Sequence, residues 1–208
     1  STPFFATVPG GLTAQEQDAW IHYGGGQELW DELYSNFNLK AFLGGNSGVQ
    51  MGGWFRNEIK SLDDFKGLKM RMPGLGAEVI NRMGATAVSM PGGEIMPSLE
   101  SGAIDATEWV GPYNDLAFGF YQVAKYYYGP GFHEPGTQAE CMVNKEEYDK
   151  LPKHLQKIVE HASVSENNRM LAEFTYGNSA AQRKLIDAHG VIINNFPKEV
   201  YDTMFKIS

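Results

Sequence analysis

The chain has 208 residues, enough for one large domain or two modest ones around a sizeable core, and its 25 acidic against 17 basic side chains give a formal net charge of -8. That balance argues against nucleic acid and acidic lipid surfaces, both of which select basic partners. No run of about eighteen or more apolar residues is present, and the opening Ser1-Thr2-Pro3-Phe4-Phe5 lacks the basic and long apolar regions of a signal peptide.

Residues 13–37 carry two helical stretches separated by Gly24-Gly25-Gly26, with Leu29, Trp30 and Leu33 at helical spacing. Short β-rich runs follow at 39–43, 49–55 and 68–72. Between the last two, Ser61-Leu62-Asp63-Asp64 reads as a cap opening a short turn that Lys66-Gly67 closes. A helix over 78–83 stops at Gly84, 85–90 is strand-like, and a helix over 93–99 follows Pro91. This alternation predicts an α/β architecture with mostly parallel pairing. The single Cys141 can form no internal disulfide and, in a strand-like context, reads as a packed thiol. Residues 152–189 hold proline only at the first position, carry Leu155, Ile158, Val159, Ala162, Met170, Phe174 and Leu185 near helical spacing, and end at Gly190. One helix of that length spans about 55 Å and could brace two lobes. Gly177 inside it costs about 1 kcal/mol against alanine, which leaves two helices broken near 177–179 as the alternative.

Several signatures fail on inspection. Gly74-Leu75-Gly76 is followed by Val79 where a dinucleotide fingerprint wants glycine, and Gly24-Gly25-Gly26 lacks the Lys-Ser/Thr of a phosphate loop. Ser47 lies in a sequence missing the last glycine of a nucleophile elbow. The five histidines form no zinc-binding pair; four fall on predicted helices, where solvated or core-edge roles are expected. What remains is Gln50, Arg71, Glu108, Trp109 and Glu134, each set at a β-like run near a Gly or Pro turn. Ligands of open α/β sheets sit beyond the carboxyl ends of strands, so these are the candidate site residues.

The stretches GGWFRNEI (52–59), LKMRMPGLGAEV (68–79), GATAVSMPGGEIMPSLESGAIDATEWVGPYND (84–115) and YYYGPGFHEPG (126–136) resemble the periplasmic solute receptors of tripartite ATP-independent periplasmic (TRAP) transporters, the DctP-type family. Within it the likeness is to the subgroup that binds 2-oxo or 2-hydroxy acids such as pyruvate or lactate, and it runs through nearly the whole chain. The resemblance implies a two-lobe clamshell fold of α/β class with a long lobe-bridging helix. Residues 1–22 and 106–136 would belong to lobe I, 23–105 and 137–151 to lobe II, 152–189 to the bridging helix and 190–208 to the start of a carboxyl-terminal region. It also implies an internal fragment, incomplete at both ends, of a periplasmic protein that hands its organic acid to TRAP membrane subunits. Some relatives exchange carboxyl-terminal helices between subunits, so a homodimer is one arrangement the resemblance allows.

By the same resemblance Arg71 would pair with the ligand carboxylate. Gln50, Glu108, the Trp109 carbonyl and Glu134 would hold a cation that also touches the ligand. Arginine suits a carboxylate because its planar fork gives two parallel charge-assisted hydrogen bonds. Two glutamates and a bound monocarboxylate against one arginine leave an enclosed site doubly negative, and a hard cation with oxygen ligands, sodium or calcium, compensates. Trp109 and Phe55 could wall the ligand's short apolar tail, with a plain core role equally open for Phe55. An alternative from another class is a hydrolase using Glu108 and Glu134 as a carboxylate pair.

Overall fold

The computed structural model describes residues 2–208. In chain order its elements are α1 (Pro3–Ala6), α2 (Ala14–Tyr23), α3 (Gly26–Ser35), β1 (Leu39–Asn46), β2 (Gly53–Phe55), β3 (Lys69–Arg71), α4 (Gly74–Arg82), β4 (Thr86–Val88), α5 (Gly92–Ser101), β5 (Ala106–Thr107), α6 (Pro112–Phe118), β6 (Tyr126–Tyr128), β7 (Gln138–Asn144), α7 (Lys145–Lys150), α8 (Lys153–His189), β8 (Ile192–Asn194) and α9 (Lys198–Ile207). No helix among the described residues is long and apolar enough to cross a membrane.

Contacts group the chain into two compact units. One holds the segments up to Thr7, Leu12–Gly48 and Gly136–Thr175; the other holds Val8–Gly11, Val49–Pro135 and Tyr176–Ser208. This grouping differs from the division expected from sequence, which separated 106–136 from 23–105. The physical reason is β5: Ala106 and Thr107 pair with Phe55 and Trp54 on one side and with Met70 and Arg71 on the other.

In the first unit β1 and β7 pair antiparallel, Leu39 opposite Asn144 and Asn46 opposite Gln138, with a bulge between Leu43 and Gly45. The α2 start is fixed by Thr13, whose N–H donates to the Glu16 carboxylate at 2.9 Å, a capping arrangement that satisfies an end donor. Phe5, Ile21, Trp30, Tyr34, Ala41 and Leu43 form its core, where Phe5 and Trp30 stack with centroids 5.2 Å apart. Cys141 is free and half-buried.

The second unit is built on a six-stranded sheet in the order β4-β3-β5-β2-β6-β8. β3 runs parallel to β4 and β5, and β6 parallel to β8, but β2 is antiparallel to both of its neighbours. The sheet is therefore mixed: three of its five pairings are parallel, in line with the expectation, and β2 alone runs against the other strands. Side chains alternate faces along a strand, so Trp54 and Tyr127 stack at 3.9 Å in a cluster with Ile95, Leu99 and Leu185. Phe55 and Tyr128 point the other way, into a cluster with Phe65, Ile80, Phe196 and Met204. Phe55 is fully buried there, which assigns it to the core and not to a ligand wall.

α8 is one unbroken helix of 37 residues, contributing 153–175 to the first unit and 176–189 to the second. Gly177 does not break it. A β-carbon at that position would sit 2.8 to 3.0 Å from the Tyr113 ring, so the missing side chain makes room for the start of α6. The Tyr113 N–H donates to Asn178 Oδ1 at 2.9 Å in the same place.

Candidate functional site

Strand register brings the candidate residues to one end of the second unit's sheet. Arg71 closes β3 and lies opposite Thr107, the last residue of β5, so Glu108 follows directly beside it. β2 runs the other way, so its beginning lies at this end: Trp54 faces Thr107 and Gly53 faces Tyr128, the end of β6. Gln50 precedes β2 and Glu134 follows β6, and the two loops are laced by backbone bonds from Gln50 N–H to Glu134 at 3.0 Å and from Gly131 N–H to Gln50 at 2.7 Å. A further bond, Met51 N–H to the Val110 carbonyl at 3.0 Å, ties this lacing to the loop after Trp109.

Arg71 and Glu108 are 8% and 1% exposed. Arg71 Nη1 donates to the Glu108 carbonyl at 2.9 Å and also to Glu108 Oε1, an ion pair shut away from water. The other carboxylate oxygen, Oε2, lies 3.2 Å from His133 Nε2. Buried charges persist only when paired and hydrogen-bonded, and here each oxygen of Glu108 has a partner. The guanidinium lies over the Trp109 indole, 5.1 Å from its centroid, a cation–π arrangement. That indole is seated against Phe118 at 4.8 Å and against Gly92, where a β-carbon would approach it to 2.7 Å.

Two buried groups escaped the reading of the sequence. His133, 3% exposed, is a partner of Glu108, a role the sequence did not assign to it. The available signal was its position as the one histidine outside the predicted helices, next to Glu134. Asp115, 1% exposed, accepts from Trp54 Nε1 and the Tyr127 hydroxyl at 2.8 Å each on Oδ2, and from the Val110 and Gly111 N–H groups at 3.1 Å each on Oδ1. Burial pushes its carboxyl up to about 6, against the pull of these donors.

Arg71 Nε is buried and, among the described residues, has no hydrogen-bond partner, so the guanidinium keeps a donor for an incoming oxygen. The proposed cation donors are an amide, two carboxylates and a main-chain carbonyl, hard oxygen groups that fit sodium or calcium better than a thiol-seeking metal. Among the described residues no three of His, Cys, Asp and Glu converge as a metal cluster.

Residues 1–207 match the bacterial extracellular solute-binding proteins, family 7 (DctP). The chain belongs to this family. It is 45% identical over 205 residues to a monocarboxylate 2-oxoacid-binding periplasmic protein of Nostoc sp. strain PCC 7120, covering 99% of this chain and 56% of that protein. A TRAP transporter solute-binding protein of Bordetella bronchiseptica RB50, described as a mixed-occupancy dimer with copurified calcium and picolinate, superposes with a TM-score of 0.93 at 45% identity, over 99% of this chain and 61% of that one. A TRAP periplasmic solute-binding protein of Pseudoalteromonas atlantica T6c with bound sodium and pyruvate gives 0.91 at 45% identity, over 99% and 63%. The chain thus spans somewhat over half the length of these relatives. The fold is that of the TRAP solute-binding proteins, and the family is one of solute receptors. The hydrolase alternative finds no support in it.

Proposed function

We propose that this chain is the ligand-binding portion of a periplasmic receptor that takes up a short 2-oxo or 2-hydroxy monocarboxylate together with sodium or calcium and delivers it to the membrane subunits of a TRAP transporter, without chemical turnover. The observation that carries this reading is the buried Arg71–Glu108 pair, its guanidinium over the Trp109 indole, with an unused donor on Arg71 Nε. Arg71 would take the ligand carboxylate through its fork. Gln50, Glu108, the Trp109 carbonyl and Glu134 would hold the cation, with Gln50, Trp109 and Glu134 also bordering the ligand. The cation supplies the positive charge that lets an anion enter a site already carrying two carboxylates. Relatives of 45% identity bound to pyruvate with sodium or to picolinate with calcium support the ligand class. The dimer of the Bordetella protein supports a second copy as a partner.

Calorimetry against pyruvate, 2-oxobutyrate, succinate and simple sugars tests the proposal, with mass spectrometry of the recovered ligand. The expected result is selective binding of the 2-oxo monocarboxylates, recovered unchanged, and loss of that binding in Arg71→Met. Preference for a sugar, or a chemically altered ligand, would contradict it.

A further inference from the structure

The carbonyl of Trp109 belongs to the same peptide unit as the N–H of Val110. That unit is planar and trans, so the two groups point in opposite directions and fixing one fixes the other. The Val110 N–H is held by Asp115 Oδ1, and the neighbouring Gly111 N–H by the same oxygen, both at 3.1 Å. The Val110 carbonyl is taken by the Met51 N–H at 3.0 Å, and the Glu108 carbonyl by Arg71 Nη1 at 2.9 Å. Of the three successive carbonyls, those on either side of Trp109 are therefore engaged, and that of Trp109 is directed away from Asp115.

Asp115 is itself held rigidly. Its Oδ2 accepts from Trp54 and Tyr127, which stack on each other from adjacent strands β2 and β6. Four donors converge on one side chain, and only an ionised carboxylate offers about four acceptor positions and no donor. An asparagine would turn an N–H against one of them. A buried carboxylate is costly unless it is fully hydrogen-bonded, and Asp115 meets that condition with four donors, two of them the backbone N–H groups that follow Trp109.

We propose that Asp115 is the positioning residue of the cation site, aiming the Trp109 carbonyl at the ion through its grip on Val110 and Gly111. This rests on the cation-linked receptor reading above.

The test compares wild type, Asp115→Asn and the double variant Asp115→Asn/Trp54→Phe by calorimetry, titrating calcium first and then pyruvate at saturating calcium. Asp115→Asn is expected to weaken calcium by about 10- to 100-fold, the usual effect of losing an outer-shell partner, while pyruvate affinity at saturating calcium returns close to wild type. Trp54→Phe in that background removes the N–H that opposes the new amide, leaves Tyr127 free to accept from it, and should recover most of the calcium affinity. A merely structural role would lower melting temperature without this split or this rescue. If Asp115→Asn does not fold, the double variant, which lacks the opposed donors, is compared with Trp54→Phe alone. Wild-type calcium affinity in a folded Asp115→Asn, or equal loss of calcium and of pyruvate at saturating calcium, would overturn the proposal. A wild-type protein that binds neither calcium nor sodium nor pyruvate would instead overturn the receptor reading.

Discussion

Asp115 and Glu108 are both carboxylates buried at the same end of one sheet, and their partners separate them. Glu108 faces a guanidinium and an imidazole; Asp115 faces only neutral donors. Burial consequently dominates at Asp115 and raises it from its ordinary 3.8 to about 6. The folded state then binds a proton more tightly than the unfolded chain, so between about pH 4 and pH 6 stability falls as pH rises. Against Asp115→Asn, wild type should lose up to about 3 kcal/mol of unfolding free energy between pH 4 and pH 7, at about 1.4 kcal/mol per pKa unit. Urea denaturation of both proteins across that range measures it, and parallel pH profiles would show that the Asp115 environment is not as described. Arg71, Glu108 and Trp109 could be picked out in the sequence because they interrupt apolar runs beside Gly and Pro. His133 and Asp115 could not be assigned their roles, because the partners that define them lie 25 and 61 residues away.

Elements with strong local signals were legible: α8 from the proline just ahead of it and terminal Gly190, and the turn after Ser61 from its acidic cap, where the Ser61 N–H donates to Asp64 at 2.9 Å. The reversed direction of β2 was not. β2 is three residues long, and a pattern of apolar residues reports which faces are buried but not which way the strand runs. Gly177 shows the same division between local and tertiary information. Propensity alone favours alanine there by about 1 kcal/mol, but a β-carbon would press into the Tyr113 ring at 2.8 to 3.0 Å, and overpacking of that kind costs about 1 to 3 kcal/mol. Gly177→Ala should lower the melting temperature, whereas in a Tyr113→Ala background the same change should raise it. Thermal unfolding of the four proteins gives the answer; stabilisation by Gly177→Ala in the presence of Tyr113 would contradict the packing described.

At the scale of the whole molecule, long motifs carried the family likeness, and 207 residues of the chain match that family. The grouping into units was not readable, since each unit gathers three separate segments: β7 returns about a hundred residues later in the chain to pair with β1, and the piece containing Gly10 bonds to Phe132. Contacts of such sequence separation leave no local periodicity to read. The central claim is that anion and cation occupy one linked site, with Glu108 serving the cation and Arg71 the anion. Linkage requires that each ligand tighten the other by the same factor. The most direct measurement is pyruvate affinity by calorimetry as a function of calcium or sodium concentration, in wild type and Glu108→Gln, starting from chelated, sodium-free protein. Pyruvate affinity should rise steeply with the matching cation in wild type, and Glu108→Gln should need a higher cation concentration to reach the same affinity. Pyruvate binding that is equally tight without any cation, or a Glu108→Gln protein indistinguishable from wild type at every cation concentration, would contradict the account.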